Sequence, residues 1–241
     1  MRILIVEDEM SIADGLKFNF EQEGYATQVV ADGPAALGLL SSGQFQFDLV
    51  VLDLMLPGMS GYEICKEIRI FNQNLPVMVL SARSSSEDKA HAFDCGADQY
   101  VTKPFDLNEV LSRVRNLFKW RTPEQTDLVD NGGALSEVHH FDNVLVDCRK
   151  FQVTVKGEVF TLTTMEMQLL RYFLENQGIV LSRSRIMEDV WSQSPDITTR
   201  TIDNFVMRLR RIIETDSSKP QYIVSVRGTG YKFVLERDVS S

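Results

Sequence analysis

The stretch that constrains this chain most is Asp48-Leu49-Val50-Val51-Leu52-Asp53-Leu54-Met55-Leu56-Pro57-Gly58. An apolar run leads to one carboxylate, and a Pro-Gly turn signal follows. A short continuous apolar run bounded by turn residues reads as a strand covered on both faces, as in a parallel sheet. Asp53 then lies at the strand's carboxyl end, where open α/β sheets hold their ligands. A chain built around such a strand must also supply neighbouring strands and the helices that cover them.

The flanking sequence meets that demand. Residues 2–6 are a β-rich run ending in Glu7-Asp8-Glu9, and residues 11–22 carry Ile12, Leu16 and Phe20 at helical spacing before Gly24. Strands at 26–30, 76–80 and 99–101 alternate with helices at 34–40, 62–71, 85–94 and 107–119. Five strand–helix repeats in about 120 residues predict an α/β domain, a doubly wound five-stranded parallel sheet.

The reactive side chains fall at matching strand ends. Glu7 and Asp8 follow the first strand, Asp53 ends the third, Ser81 follows the fourth and Lys103 follows the fifth. Clustered carboxylates repel, and a divalent cation relieves them; hard oxygen donors without histidine favour Mg²⁺. Such a cation would shield Asp53 for attack on a phosphoryl group, and Lys103 would neutralise a phosphoryl oxygen.

These residues also carry a resemblance. Glu7-Asp8-Glu9, Leu52 to Gly58, Leu80-Ser81-Ala82-Arg83, Gly96-Ala97-Asp98-Gln99-Tyr100 and Lys103-Pro104-Phe105 together resemble the motif set of two-component receiver domains, over residues 1–119. The resemblance implies a flavodoxin-like fold in which Asp53 accepts a phosphoryl group from a sensor histidine kinase. It implies Mg²⁺ held by Asp8, Asp53 and the Met55 carbonyl, with Glu7 acting through water. Ser81 would bond the phosphoryl group, Tyr100 would turn inward behind it, and the Lys103–Pro104 bond would be cis. It further implies a homodimer on phosphorylation, with Lys89, Asp98, Glu109 and Arg113 at the interface. Gln99 stands where this subfamily usually has an acid that pairs with the arginine matching Arg113, so a weaker dimer is expected.

The second half differs in kind. Residues 1–120 carry 17 acidic and 10 basic side chains, a net of −7, whereas residues 141–241 carry 13 and 14, a net of +1. Residues 121–137 are polar and acidic and contain Gly132-Gly133, which reads as a flexible linker between a domain at 1–120 and one at 138–237. Short strands at 141–146, 152–155 and 159–162 precede a helix capped by Thr163 or Thr164, then a shorter helix ending at Trp191. Residues 198–213 place Ile202, Phe205, Val206, Leu209, Ile212 and Ile213 on one face, and Arg200, Asn204, Met207, Arg208 and Arg211 on the other. An Arg/Asn face suits the major groove, and the hairpin tip Arg227-Gly228-Thr229-Gly230 suits a narrow minor groove.

Arg200-Thr201-Ile202-Asp203, Arg208-Leu209-Arg210-Arg211 and Val226 to Tyr231 resemble the winged-helix effector domain of OmpR/PhoB-type regulators, over about 138–236. The resemblance implies an α+β winged helix-turn-helix domain with DNA contacts at Arg200, Thr201, Asn204, Arg208, Arg211, Arg227, Gly228 and Tyr231. It implies double-stranded promoter DNA and RNA polymerase as partners. Phe205 and Met207 stand where relatives often carry more polar residues, so no operator is inferred.

Other classes fit less well. A haloacid-dehalogenase-type phosphatase wants a second acid two residues after its nucleophile, and Met55 stands there, so a regulator rather than an enzyme is expected. A regulator whose receiver serves only as a protein-binding module remains the other alternative. The three cysteines, Cys65, Cys95 and Cys148, show no CxxC spacing and predict a reducing, cytoplasmic setting without disulfides or zinc. No signal peptide and no stretch of roughly 18 apolar residues is present, so no membrane association is expected.

Overall fold

The computed structural model describes residues 1–119, 138–191 and 199–235. The chain divides into two compact units, Met1–Lys119 and Trp120–Ser241. The expected linker, 121–137, lies outside the described residues.

In the first unit β1 (Arg2–Val6), α1 (Met10–Gln22), β2 (Ala26–Val30), α2 (Gly33–Ser41), β3 (Leu49–Asp53) and α3 (Gly61–Phe71) are followed by β4 (Val77–Ser81), α4 (Ser86–Asp94), β5 (Gln99–Thr102) and α5 (Leu107–Lys119). The sheet order is β2-β1-β3-β4-β5, every pair parallel. The chain passes from β1 outward to β2, then back across to β3, which opens a crevice at the carboxyl ends of β1 and β3. All five residues of β3 and of β4 are buried, as the apolar run predicts. Each buried Val or Leu there contributes about 1.5–3 kcal/mol.

Local chemistry fixes where the helices begin. Ser60 and Glu63 form a reciprocal capping box at the start of α3, Asp32 caps α2, and Ser85 caps α4. Each cap stabilises its helix by about 1 kcal/mol. Gly61 adds a steric condition: a Cβ there would stand 2.3 Å from the Asp53 carbonyl oxygen and 2.6 Å from the Leu54 Cα. Only glycine lets α3 start directly against the end of β3.

In the second unit β6 (Val138–Phe141), β7 (Val144–Asp147), β8 (Gln152–Val155) and β9 (Glu158–Thr161) form an antiparallel sheet in sequence order. Then come α6 (Thr164–Glu175), β10 (Val180–Ser182), α7 (Arg183–Trp191), α8 (Thr199–Ile213), β11 (Ile223–Val226) and β12 (Gly230–Phe233). The last three strands form a second antiparallel sheet, β10-β12-β11. Phe173 stacks on Phe233, and Trp191 meets Phe205 edge-on at 5.2 Å.

Two expectations change here. The single strand at 141–146 is two strands: Asp142 adopts a left-handed φ of 43° and turns the chain so that Phe141 pairs with Val144. An aspartate tolerates that conformation, so the apolar alternation around it conceals the break. β10 was not anticipated; at three residues it is too short to show a period. Lys156 and Gly157 form the turn between β8 and β9, both residues having positive φ, the backbone that a two-residue hairpin loop requires.

Candidate functional site

The β1 and β3 ends place Glu7, Asp8 and Asp53 together, their nearest carboxylate oxygens all within 4.8 Å of one another. Glu7 and Asp53 are buried, while Asp8 is exposed toward solvent. From the end of β5, the Lys103 ammonium donates to Glu7 Oε2 at 2.7 Å and to Asp53 Oδ2 at 2.5 Å. The other Asp53 oxygen accepts the Met55 backbone N–H at 2.8 Å. The Lys103–Pro104 peptide is cis.

Electrostatics follow from this crowding. Burial, reinforced by the neighbouring Asp53, pushes the Glu7 carboxyl up despite its bond to Lys103. For Lys103, burial pulls the ammonium down, but the hydrogen bonds and charges of Asp53 and Glu7 outweigh it and the net shift is upward. One ammonium set among three carboxylates leaves an excess of hard anionic oxygens, with Asp8 open to solvent. That donor set fits a Mg²⁺ ion. The Met55 side chain is exposed, so only its backbone faces inward toward Asp53.

Ser81 is fully buried, and its Oγ accepts the Arg83 N–H at 3.2 Å. Tyr100 is likewise fully buried, and its hydroxyl donates to the Arg83 carbonyl at 2.6 Å. The expectation was that Tyr100 would turn inward on phosphorylation; in this structure the ring is already inside, anchored to the β4–α4 loop.

The expected dimer residues divide. Lys89 and Glu109 are half-buried on α4 and α5. Asp98 is not on the surface at all: it is completely buried, and one carboxylate oxygen accepts from Arg69 at 2.8 Å and from the Val77 N–H at 2.9 Å. Arg113 is also buried, donating to Gln99 Oε1 and the Tyr100 carbonyl, each at 3.1 Å, and pairing with Glu109. Arg113 is bonded within its own unit to the neutral Gln99 and Asp98 to Arg69, so neither expected interface residue stands on the surface of this unit.

In the second unit, Arg200, Met207 and Arg211 stand exposed on α8, with Asn204 half-buried among them. The β11–β12 turn carries Arg227 and Gly228 exposed, with Gly228 at a φ of 73°. Three of the expected DNA contacts are less exposed and have contacts within the unit. Thr201, in the first turn of α8, is buried. Arg208 lies over the Phe205 ring at 4.2 Å, and its Nε is 3.5 Å from Glu166 of α6. Tyr231 is buried, and its hydroxyl donates to Asp203 Oδ1 at 2.6 Å. Burial first, then that bond, pushes the Tyr231 hydroxyl up to about 12.

Sequence reasoning missed several structural anchors. Glu214, just after α8, accepts the backbone N–H groups of Gln221, Tyr222 and Ile223. Arg210 donates to the Ile223 carbonyl and Ser225. Arg69 ties α3 to the Gly96 and Leu75 carbonyls as well as to Asp98. No periodicity announces such contacts, because each joins a side chain to a group outside its own element.

A parallel sheet presenting this acidic cluster, linked in one chain to an antiparallel unit with an exposed basic helix and a glycine-tipped wing, defines a response regulator with a DNA-binding output domain. Known proteins agree. The response regulator receiver domain family matches residues 3–115, and the transcriptional regulatory protein C-terminal family matches residues 157–233. The sensory transduction protein RegX3 of Mycolicibacterium smegmatis is 42% identical over 231 residues, covering 95% of this chain and 97% of its own length. The response regulator ArlR of Staphylococcus saprophyticus is 37% identical, covering 95% and 97%. Among solved structures, the response regulator DrrB, an OmpR/PhoB homologue from Thermotoga maritima, is 30% identical with a TM-score of 0.50, covering 97% of this chain and 98% of that one. The chain belongs to the OmpR/PhoB-type two-component response regulators, which makes it a winged-helix transcription regulator. No helix among the described residues is long and apolar enough to cross a membrane.

Proposed function

We propose that Asp53 is the phosphoacceptor and that its phosphorylation by a sensor histidine kinase favours a homodimer that binds two tandem DNA half-sites. The observation that carries this reading is the Lys103 ammonium within 2.5 Å of Asp53 Oδ2, beside the Glu7 and Asp8 carboxylates. An Asp53 oxygen attacks phosphorus, the new O–P bond forms as the N–P bond of the kinase phosphohistidine breaks, and the imidazole leaves with the electron pair. Lys103 then exchanges part of its contact with Asp53 for a phosphoryl oxygen. Ser81 gives up the Arg83 N–H to bond the phosphoryl group, and Tyr100 packs behind it. Glu7, Asp8, Asp53 and the Met55 carbonyl would hold Mg²⁺, which supplies charge neutralisation for the incoming phosphoryl oxygens.

At the output end, Arg200, Asn204 and Arg211 face the major groove, and Arg227 with Gly228 the minor groove. Half-sites about one helical turn apart, roughly 10 bp, follow from side-by-side winged helices. RNA polymerase is the expected downstream partner. Lys89 and Glu109 support the dimer, whereas Arg113 and Asp98 act inside each receiver. The test is incubation with acetyl phosphate and Mg²⁺ followed by Phos-tag electrophoresis and sedimentation. Labelled dimer is expected from the native chain and none from Asp53→Asn; dimerisation and tighter promoter binding by Asp53→Asn in a phosphodonor-dependent way would refute the reading.

A further inference from the structure

The wing meets α8 through Arg210, which bonds β11, and through a second cluster centred on Arg183. The first residue of α7, Arg183, donates its backbone N–H to the Thr229 carbonyl in the wing turn at 3.3 Å. Its side chain donates from Nε to Asp203 Oδ1 of α8 at 2.8 Å, and its guanidinium lies 4.8 Å over the Tyr231 ring of β12. Tyr231 closes the circuit by donating to the same Asp203 oxygen, and Arg210 covers its ring at 5.5 Å. Backbone packing reinforces the joint: a Cβ on Gly230 would lie 2.0 Å from the Leu181 carbonyl oxygen, so β12 approaches β10 as closely as backbone allows.

We propose that Arg183 is a positioning residue, and that the Arg183–Asp203–Tyr231 cluster sets the distance between the exposed row of α8 and Arg227 on the wing. The inference rests on the DNA-binding reading and deepens it. Arg227 sits at the tip of a three-residue turn, between Val226 and Gly230, with an exposed side chain. The turn is closed by the Thr229 N–H to the Val226 carbonyl, and its anchors lie on either side, at Ser225 before the tip and at Thr229, Gly230 and Tyr231 after it. Asp203 has a second consequence. Its side chain is 45% exposed on a helix otherwise lined with arginine, where a lone carboxylate would repel phosphates. Arg183 neutralises it while the guanidinium remains only 28% exposed, its donors turned to Asp203 and Tyr231. Arg183 thus acts through its neighbours on the DNA face.

A double-mutant cycle tests this. Full-length protein treated with acetyl phosphate selects a duplex from a random library, and that duplex is the probe. Tyr231→Phe keeps the ring and removes only the hydroxyl; Arg227→Ala removes the wing charge. Tyr231→Phe is expected to weaken binding about 3- to 10-fold. Arg227→Ala is expected to lower the salt slope by about 1. The double variant should bind no more weakly than Arg227→Ala alone, because a mispositioned wing has nothing left to lose. Asp203→Asn should show the same coupling to Arg227→Ala, and melting curves identify any variant that has merely lost stability. Additive losses, or unchanged affinity in both Tyr231→Phe and Asp203→Asn, would overturn the proposal while leaving the DNA reading intact. A native chain that enriches no duplex would overturn the DNA reading, and this inference with it.

Discussion

The two functional regions are built in opposite ways. At the receiver site the reactive side chains point inward and hold one another: Lys103 bridges Glu7 and Asp53, both buried. On the winged-helix face the candidate contacts are exposed, and the charged residues around them are divided between two tasks. Arg200, Arg211 and Arg227 face solvent, while Arg183, Arg208 and Arg210 are drawn into contacts with Asp203, Glu166, Tyr231 and backbone carbonyls. A convergent site tolerates almost no substitution, because each group completes another's charge balance. An open face loses affinity in increments, because each contact forms only when the partner arrives.

The sharpest way to break that contrast is Asp53→Asn. It should abolish phosphoryl incorporation altogether, read by Phos-tag mobility, and retained labelling would mean that the acceptor lies elsewhere. Next in size is the buried Asp98. Asp98→Ala leaves Arg69 with a vacated ion pair and the Val77 N–H unsatisfied, so urea unfolding of the receiver should show a loss of about 3–5 kcal/mol. Were the loss below about 1 kcal/mol, Asp98 would belong on the surface after all.

Exposed arginines should behave differently. Arg200→Ala and Arg211→Ala should each lower the slope of log affinity against log salt by about 1, with melting temperature nearly unchanged. Arg208→Ala should do the reverse, lowering the melting temperature with little change in slope. A smaller effect is expected at the proposed dimer: Lys89→Glu should weaken phosphorylation-dependent association only a few-fold, since ion pairs near the surface contribute about 0–1 kcal/mol. Sedimentation equilibrium measures it.

The smallest effect concerns Tyr231 ionisation. Burial and the bond to Asp203 raise its pKa to about 12 in the folded state, above the usual 10. A raised folded value means stability that is present below pH 10 and lost as pH rises through about 12. Absorbance at alkaline pH should show this tyrosine titrating late, and Asp203→Asn should bring its titration earlier.

The same contrast explains what could be read from the chain alone. β1 occupies residues 2–6 and α5 residues 107–119, the spans that apolar runs and helical spacing predict. The convergence of Glu7, Asp8, Asp53 and Lys103 was equally legible, since a parallel sheet sends every strand end to one edge. The DNA face was legible only as a face. Helical spacing assigns Arg208 to the polar side, yet its long apolar stem lets it lie back over Phe205. Tyr231 sits in a recognisable motif, but whether its hydroxyl meets DNA or Asp203 depends on where β12 crosses α8. Gln99 stood out in the sequence as a departure, while the bond it accepts from the buried Arg113 required coordinates.

The sequence by itself determined the strand–helix alternation, the buried strand ending in Asp53, and the carboxylates and lysine brought to its edge. These follow from local periodicity and from the rule that strand ends of a parallel sheet converge. Tertiary structure alone decided which polar groups are buried and which are exposed: Asp98, Arg113, Thr201 and Tyr231 are buried and Arg208 is half-buried. A buried charge or hydroxyl must find a partner, and for Asp98 and Tyr231 that partner lies on another element, which no local pattern can specify.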